Sequence, residues 1–184
     1  MGEVKPDLRI IRTRRSIMDA FIQLSTKKEF KDITIKDITD AAMINRATFY
    51  YHFEDIYDLL EKVLLEVLQI NLDRHLYKDS ELNEITIVNL FKAITDFQLS
   101  LSTRCHRGYE DTIARIIRDQ LEVIIYQLLN KHHGDEKSDE LKVASVMLSW
   151  GLYGASVEWR RMKGYISPEE YINKSIPVIL NGVL

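Results

Sequence analysis

Asn45, Arg46, Ala47 and Thr48 stand in a row ahead of an aromatic cluster, Phe49-Tyr50-Tyr51-His52-Phe53. An amide, a guanidinium, a methyl and a hydroxyl are the groups that hydrogen bond to, or touch, base edges in a DNA major groove. The fork of Arg46 can engage both acceptors of a guanine at once, so Arg46 is the residue expected to read sequence. Phe49 and Phe53, four apart, share a helix face that can anchor the row against Ile38, Ala41 and Ile44. Tyr50 and His52 end in polar atoms, which suits them to phosphate oxygens.

Other chemistry finds little support. Cys105 and His106 are adjacent in a polar break, without the ligand count of a metal site or a third group to orient a nucleophile. His132-His133 falls at an expected helix end, where imidazolium can complement the negative end of the dipole. No Asp or Glu stands three residues before any His, so the helical carboxylate-bridged dimetal pattern is missing. There is no glycine-rich phosphate loop and no GxSxG turn. The expectation is a protein with no catalytic residues, no metal and no cofactor, and therefore not an enzyme.

The elements that must position the row are helical. Apolar residues recur at helical spacing almost throughout, with three prolines and seven glycines in 184 residues, so the fold class is all-α. Ile17, Ala20, Phe21 and Leu24 stripe a first helix over about 8–27. Thr34-Ile35-Lys36-Asp37 reads as a capping box opening a short second helix that ends near Ala42. Asn45 is a good N-cap for a third, about 45–51, after a tight turn. From Asp55 the pattern Ile56, Leu59, Leu60, Val63, Leu64, Val67, Leu68 predicts a long helix to about Tyr77. Helices follow at about 85–102, 109–132 and 138–163. A last one opens at Ser167-Pro168-Glu169-Glu170, with Pro177 expected to kink it. Residues 1–54 thus form a three-helix domain with a helix-turn-helix, and residues 55–184 a larger helical domain.

Charge divides the same way. The whole chain is at −3, but residues 1–53 carry ten Lys and Arg against seven Asp and Glu, a net of +3, which leaves the remainder at −6. The basic part is the one suited to phosphate. Arg12, Arg14 and Arg15 read first as a solvated helix face, with backbone or minor-groove contact as the alternative. One cysteine fits a reducing compartment, the first residues MGEVKPDLRIIRTRR lack the apolar stretch of a secretory signal, and no run approaches a membrane span. A cytoplasmic protein with no membrane partner is expected.

Residues 9–65, with Thr48-Phe49-Tyr50-Tyr51-His52-Phe53 ten residues after Ile38 and just before a long helix, resemble the DNA-binding domain of the TetR family. The resemblance implies that Thr34, Lys36, Asn45, Tyr50 and His52 hold phosphates of double-stranded DNA and that Arg46, Ala47 and Thr48 face bases. It implies a homodimer joined through the last two helices, with Gly151, Gly154, Ile172, Ile176 and Ile179 at the interface. It also implies a small apolar or amphipathic effector within the C-terminal domain, where Phe97, Tyr109, Tyr126 and Trp150 are candidate lining residues. The expected activity is that of a ligand-responsive repressor on a near-palindromic operator. A second reading keeps the fold but works through a partner protein without binding DNA alone. The family pattern has Gly at the positions of Glu29 and Met43 and Lys at Ile56. If either glycine position demands a left-handed backbone, the side chain there costs roughly 1–2 kcal/mol. Losing the Lys removes one phosphate contact and flattens the salt dependence.

Overall fold

The computed structural model describes residues 7–75, 81–101, 109–133, 138–162 and 165–183, and among these the regular structure is helical. Cys105, His106, Lys5 and the breaks at 102–108 and 134–137 lie outside the described residues, as do the side chains of His132 and His133. The helices are α1 (Leu8–Ser25), α2 (Ile35–Ala41), α3 (Arg46–His52), α4 (Ile56–His75), α5 (Glu84–Ser100), α6 (Glu110–His133), α7 (Ser138–Arg161), α8 (Pro168–Asn173) and α9 (Ile176–Val183).

The chain forms two units: a head of Met1–Leu64 with Leu101–Glu110, and a body of Leu65–Ser100 with Asp111–Leu184. The first turns of α4 therefore belong to the head, and the rest of it to the body. In the head, α1 packs on α2 and α2 on α3. Its core holds Ile17, Met18, Ala20, Phe21, Ile38, Phe49 and Phe53, all buried. Phe30, in a 3-10 turn between α1 and α2, meets Phe21 at 5.9 Å, Tyr57 at 5.7 Å and Tyr109 at 4.4 Å between ring centroids. Edge-on and tilted contacts of this kind each add about 0.5–1.5 kcal/mol beyond the area they bury.

In the body, α5 lies between α7, α8 and α9. Its Ile87, Leu90, Phe91, Ala93, Ile94 and Phe97 are all buried, together with Thr86, Thr95 and Gln98, a wider arc than a one-sided stripe needs and what a central helix shows. Phe91 stacks on Tyr171 at 5.9 Å, and Lys92 pairs with Glu169, whose carboxyl it holds below its ordinary pKa. Trp159 of α7 is buried and donates its indole N–H to the Ile166 carbonyl at 3.0 Å.

The last helix is broken rather than kinked. α8 ends at Asn173 and α9 starts at Ile176, so Pro177 sits in a first turn, where its missing N–H is no loss. The Ser175 carbonyl receives Val178 N–H at 3.1 Å and Ile179 N–H at 3.0 Å and so opens the new helix. Ser167 caps α8 as expected, accepting from Glu170 N–H at 3.1 Å.

Candidate nucleic-acid interface

The helix-turn-helix is fixed at three points by backbone groups that helix ends leave free. At the start of α2, Thr34 Oγ1 accepts from Asp37 N–H at 3.1 Å while an Asp37 oxygen accepts from Thr34 N–H at 2.9 Å, the reciprocal pair of a capping box. Lys28 Nζ reaches the other Asp37 oxygen at 2.9 Å. The Lys28 bond, then the two from Thr34, hold the Asp37 carboxyl down to about 2. Thr34 and Lys36 are exposed at this end of α2.

The turn after α2 is a Schellman motif. Ile44 N–H donates to Thr39 O at 3.0 Å, and Met43 N–H to Asp40 O at 3.3 Å. That closure needs a left-handed residue at Met43, and its φ is 54°, the one positive value outside glycine among the described residues. A Cβ there is strained, and the Met43 side chain is 91% exposed, so packing returns nothing within the protomer. Glu29 has φ −68° and ψ 148°, an extended backbone open to any residue, so the departure from glycine there carries no cost.

Asn45 Oδ1 then caps α3, accepting from Thr48 N–H at 2.8 Å and Thr48 Oγ1 at 3.0 Å. Phe49 and Phe53 are buried, with ring centroids 5.8 Å apart, and Ile38 is buried behind them. Of the expected anchor partners, Ala41 is exposed and Ile44 half-buried; Ala42 takes the inward position. Asn45, Arg46, Ala47 and Tyr50 are exposed, and Thr48 and His52 half-buried. Arg46 Nη2 donates to Tyr50 Oη at 3.2 Å, with its guanidinium 5.6 Å from the ring centroid. The base-reading candidate is thus held one turn along its own helix by a residue first assigned to phosphate alone. Tyr51, not singled out from the sequence, is also exposed and meets His52 edge-on at 5.1 Å.

Arg14 lies 5.3 Å from the centre of the Phe53 ring. Burial, and then the charge of Arg14, push the His52 pKa below its ordinary value. At the start of α4, Asp55 Oδ1 accepts from the N–H groups of Tyr57 and Asp58 at 2.8 Å each, with Ile56 half-buried between them.

Residues 17–63, from buried Ile17 of α1 to buried Val63 of α4, match the profile described as bacterial regulatory proteins, tetR family. An HTH-type transcriptional regulator of Bacillus subtilis, YxbF, is 35% identical over 101 residues, covering 54% of this chain and 26% of that protein. Another HTH-type regulator, from Haemophilus influenzae, is 27% identical over 134 residues, covering 66% and 65%. The repressor AlkX of Dietzia, itself assigned to the TetR family, superimposes over 100% of both chains with TM-score 0.53 at 16% identity. Residues 17–63 thus carry the helix-turn-helix of the tetR family. Unliganded RolR matches with TM-score 0.61 over 90% of this chain and 89% of its own, at 18% identity, and a fatty acid degradation regulator of Bacillus halodurans, FadR, with 0.52 over 98% of each, at 15%. These structural likenesses are of fold, helical body included. The chain spans about a quarter and about two thirds of the two sequence relatives.

The four expected pocket residues are not gathered in the body. Phe97 is fully buried in α5, while Tyr109 belongs to the head, against Phe30 and Tyr57. Tyr126 lines a cleft of about 440 Å³ with Glu122, Lys142 and Ser145. Trp150 is 56% exposed with the Arg118 guanidinium 3.9 Å from its ring centre. The interface candidates also divide. Ile172 and Ile176 are buried inside the protomer, where their apolar stripe serves the body's own core. Ile179 is half-buried, and Gly151 and Gly154 are exposed, with nothing within 4 Å of where a Cβ would stand. Among the described residues no group of three His, Cys, Asp or Glu side chains is placed to hold a metal ion, and no helix is long and apolar enough to cross a membrane.

Proposed function

We propose that the chain is a homodimeric repressor that binds a near-palindromic operator through α3 of each head and releases it when a small effector enters the body. The observation that carries this is α3 itself. Its Phe49–Phe53 face is locked into the core while Asn45, Arg46, Ala47 and Tyr50 face solvent at the end where a recognition helix meets base edges. Arg46 reads a guanine; Ala47 and Thr48 touch neighbouring bases. Thr34, Lys36, Asn45, Tyr50 and His52 fix register on phosphates. Two such helices related by a twofold axis enter successive major grooves about 34 Å apart.

Dimerisation is supported by one face of α7. Val143, Met147 and Trp150 are exposed along it, and the glycines there have no neighbour in the protomer that demands their smallness. Glycine inside a helix costs about 1 kcal/mol relative to alanine, so two in one face fit the close approach of a second helix. Val178 and Ile179 of α9 continue the face, closing with Met147 and Gly151 a cleft of about 330 Å³. Effector and DNA then weaken each other's binding by the same factor.

Selection of bound fragments from the source organism's DNA, followed by a salt titration on the recovered site, tests this reading. A steep loss of affinity with rising salt and a symmetric site support it. No specific retardation at any salt would favour a co-regulator working through a partner protein.

A further inference from the structure

Among the described residues two buried side-chain oxygens have no hydrogen-bond partner, Asn130 Oδ1 of α6 and Gln98 Oε1 of α5, and Gln98 is the one whose amide is held by a second helix. Gln98 of α5 is 3% exposed, and its amide Nε2 donates to Ser156 Oγ of α7 at 3.1 Å. Ser156 is fully buried and commits its own hydrogen to the Tyr153 carbonyl at 2.7 Å, so its oxygen can only accept. This fixes which end of the amide faces Ser156. Gln98 Oε1 is left as a buried acceptor with no partner in the protein. A buried acceptor without a donor is costly, and a core seldom keeps one without use.

Buried hydroxyls along the same two helices are bonded in the same way as Ser156. Ser145, Ser149 and Ser156 lie on one face of α7 and are buried, and each hydroxyl donates to the carbonyl three residues back, at 2.7–2.8 Å. On α5, Thr95 spends its hydrogen on the Phe91 and Lys92 carbonyls, both at 3.0 Å. Around Gln98 and Ser156 the α5–α7 seam therefore presents oxygens with lone pairs, and the spare hydrogen there is the second Nε2–H of Gln98. Among the described residues no buried side chain carries a charge. A carboxylate meets a single amide N–H and no cation there, and an ammonium meets no counter-charge.

We propose that this seam is the effector's polar subsite, and that the effector is a neutral molecule whose hydroxyl or amide N–H donates to Gln98 Oε1. The inference rests on the reading that the body senses a ligand. It narrows that ligand from apolar or amphipathic to an uncharged donor on an apolar skeleton, an alcohol, phenol or amide. Charged acids and plain hydrocarbons are excluded from this subsite.

The test uses the full chain and two matched probe sets: 1-octanol, octyl methyl ether and octanoate; phenol, anisole and benzoate. Binding is read by ligand-induced shift in Tm and by calorimetry, in the wild type, Gln98→Met and Ser156→Ala. At least one donor probe is expected to bind about tenfold tighter than its methyl ether and its acid. That preference should vanish in Gln98→Met and weaken in Ser156→Ala, whose amide is no longer oriented. Equal or better binding of the ethers or acids overturns the subsite while leaving ligand sensing intact. A donor preference that survives in a folded Gln98→Met also overturns it, with Oε1 then serving only an internal water. If no probe of any class binds the wild type, the sensing reading falls and the subsite with it.

Discussion

Replacing Met43 by glycine should stabilise the head, although it removes a side chain and adds backbone freedom. At φ 54° the Cβ of a non-glycine residue costs about 1–2 kcal/mol. Glycine gives back about 0.5–1 kcal/mol through its larger unfolded-state entropy. Burial adds almost nothing to the balance, since the Met43 side chain is 91% exposed. The net is a gain of about 0.5–1 kcal/mol, which for a chain of this size raises Tm by a few degrees at most. Hydrogen exchange offers a sharper reading. Amides of α2 and α3 that exchange through unfolding of the head should slow by about threefold, at 1.4 kcal/mol per decade. Met43→Ala serves as the control, because it loses the same thioether and keeps the Cβ. If alanine protects as well as glycine, or glycine not at all, the strain argument is wrong.

Tyr50→Phe removes the 3.2 Å bond to Arg46 and keeps the ring, so discrimination at the base pair Arg46 reads should fall by about 0.5–1.5 kcal/mol, measured by competition with single-base variants of the operator. A uniform loss across all variants would mean that Tyr50 serves phosphate only. The glycine face of α7 is tested by Gly151→Glu: the space is open within the protomer, so helix content should hold while sedimentation shifts from dimer to monomer. For His52, whose folded pKa is lowered by burial and Arg14, the unfolded chain binds the proton more readily, so head stability is present above the ordinary imidazole range and lost as pH falls through it. A phosphate beside His52 reverses that preference, so operator affinity should rise as pH falls from about 8 towards 6; a flat profile, or one unchanged in His52→Gln, removes His52 from the contact set. Asp37 acts at the acid end. Its folded pKa of about 2 makes its contribution full above the ordinary carboxylate value and lost as pH falls towards 2, so Asp37→Asn should flatten the acid limb of the denaturation curve below pH 4.

Local signals made much of this fold legible. The capping residues Thr34, Asn45 and Ser167 all act where the sequence places them, since a cap is a contact with the next three residues and needs no tertiary knowledge. What periodicity cannot tell is which surface a stripe meets. Ile172 and Ile176 read equally well as interface or core, and only packing on α5 makes them core. Ala41 and Ala42 are adjacent and alike, so the inward one is set by the phase of a helix of only seven residues. Tyr109 stands just before α6 and so reads as body, yet its ring packs in the head, a long-range contact with Phe30 that no local pattern records. The sequence shows Met43 in a glycine position, but whether it is strained depends on a backbone angle.

Both tryptophans of the chain, Trp150 and Trp159, are in the body, and they occupy opposite environments. Trp159 is buried with its N–H spent on Ile166, whereas Trp150 stands in solvent under Arg118, on the face assigned to the second protomer. Intrinsic fluorescence thus contains a fixed donor and a reporter of assembly. Dilution through the dimer dissociation constant should move the emission of Trp150 alone to the red, and an indole-free head lets DNA be added without disturbing that signal directly.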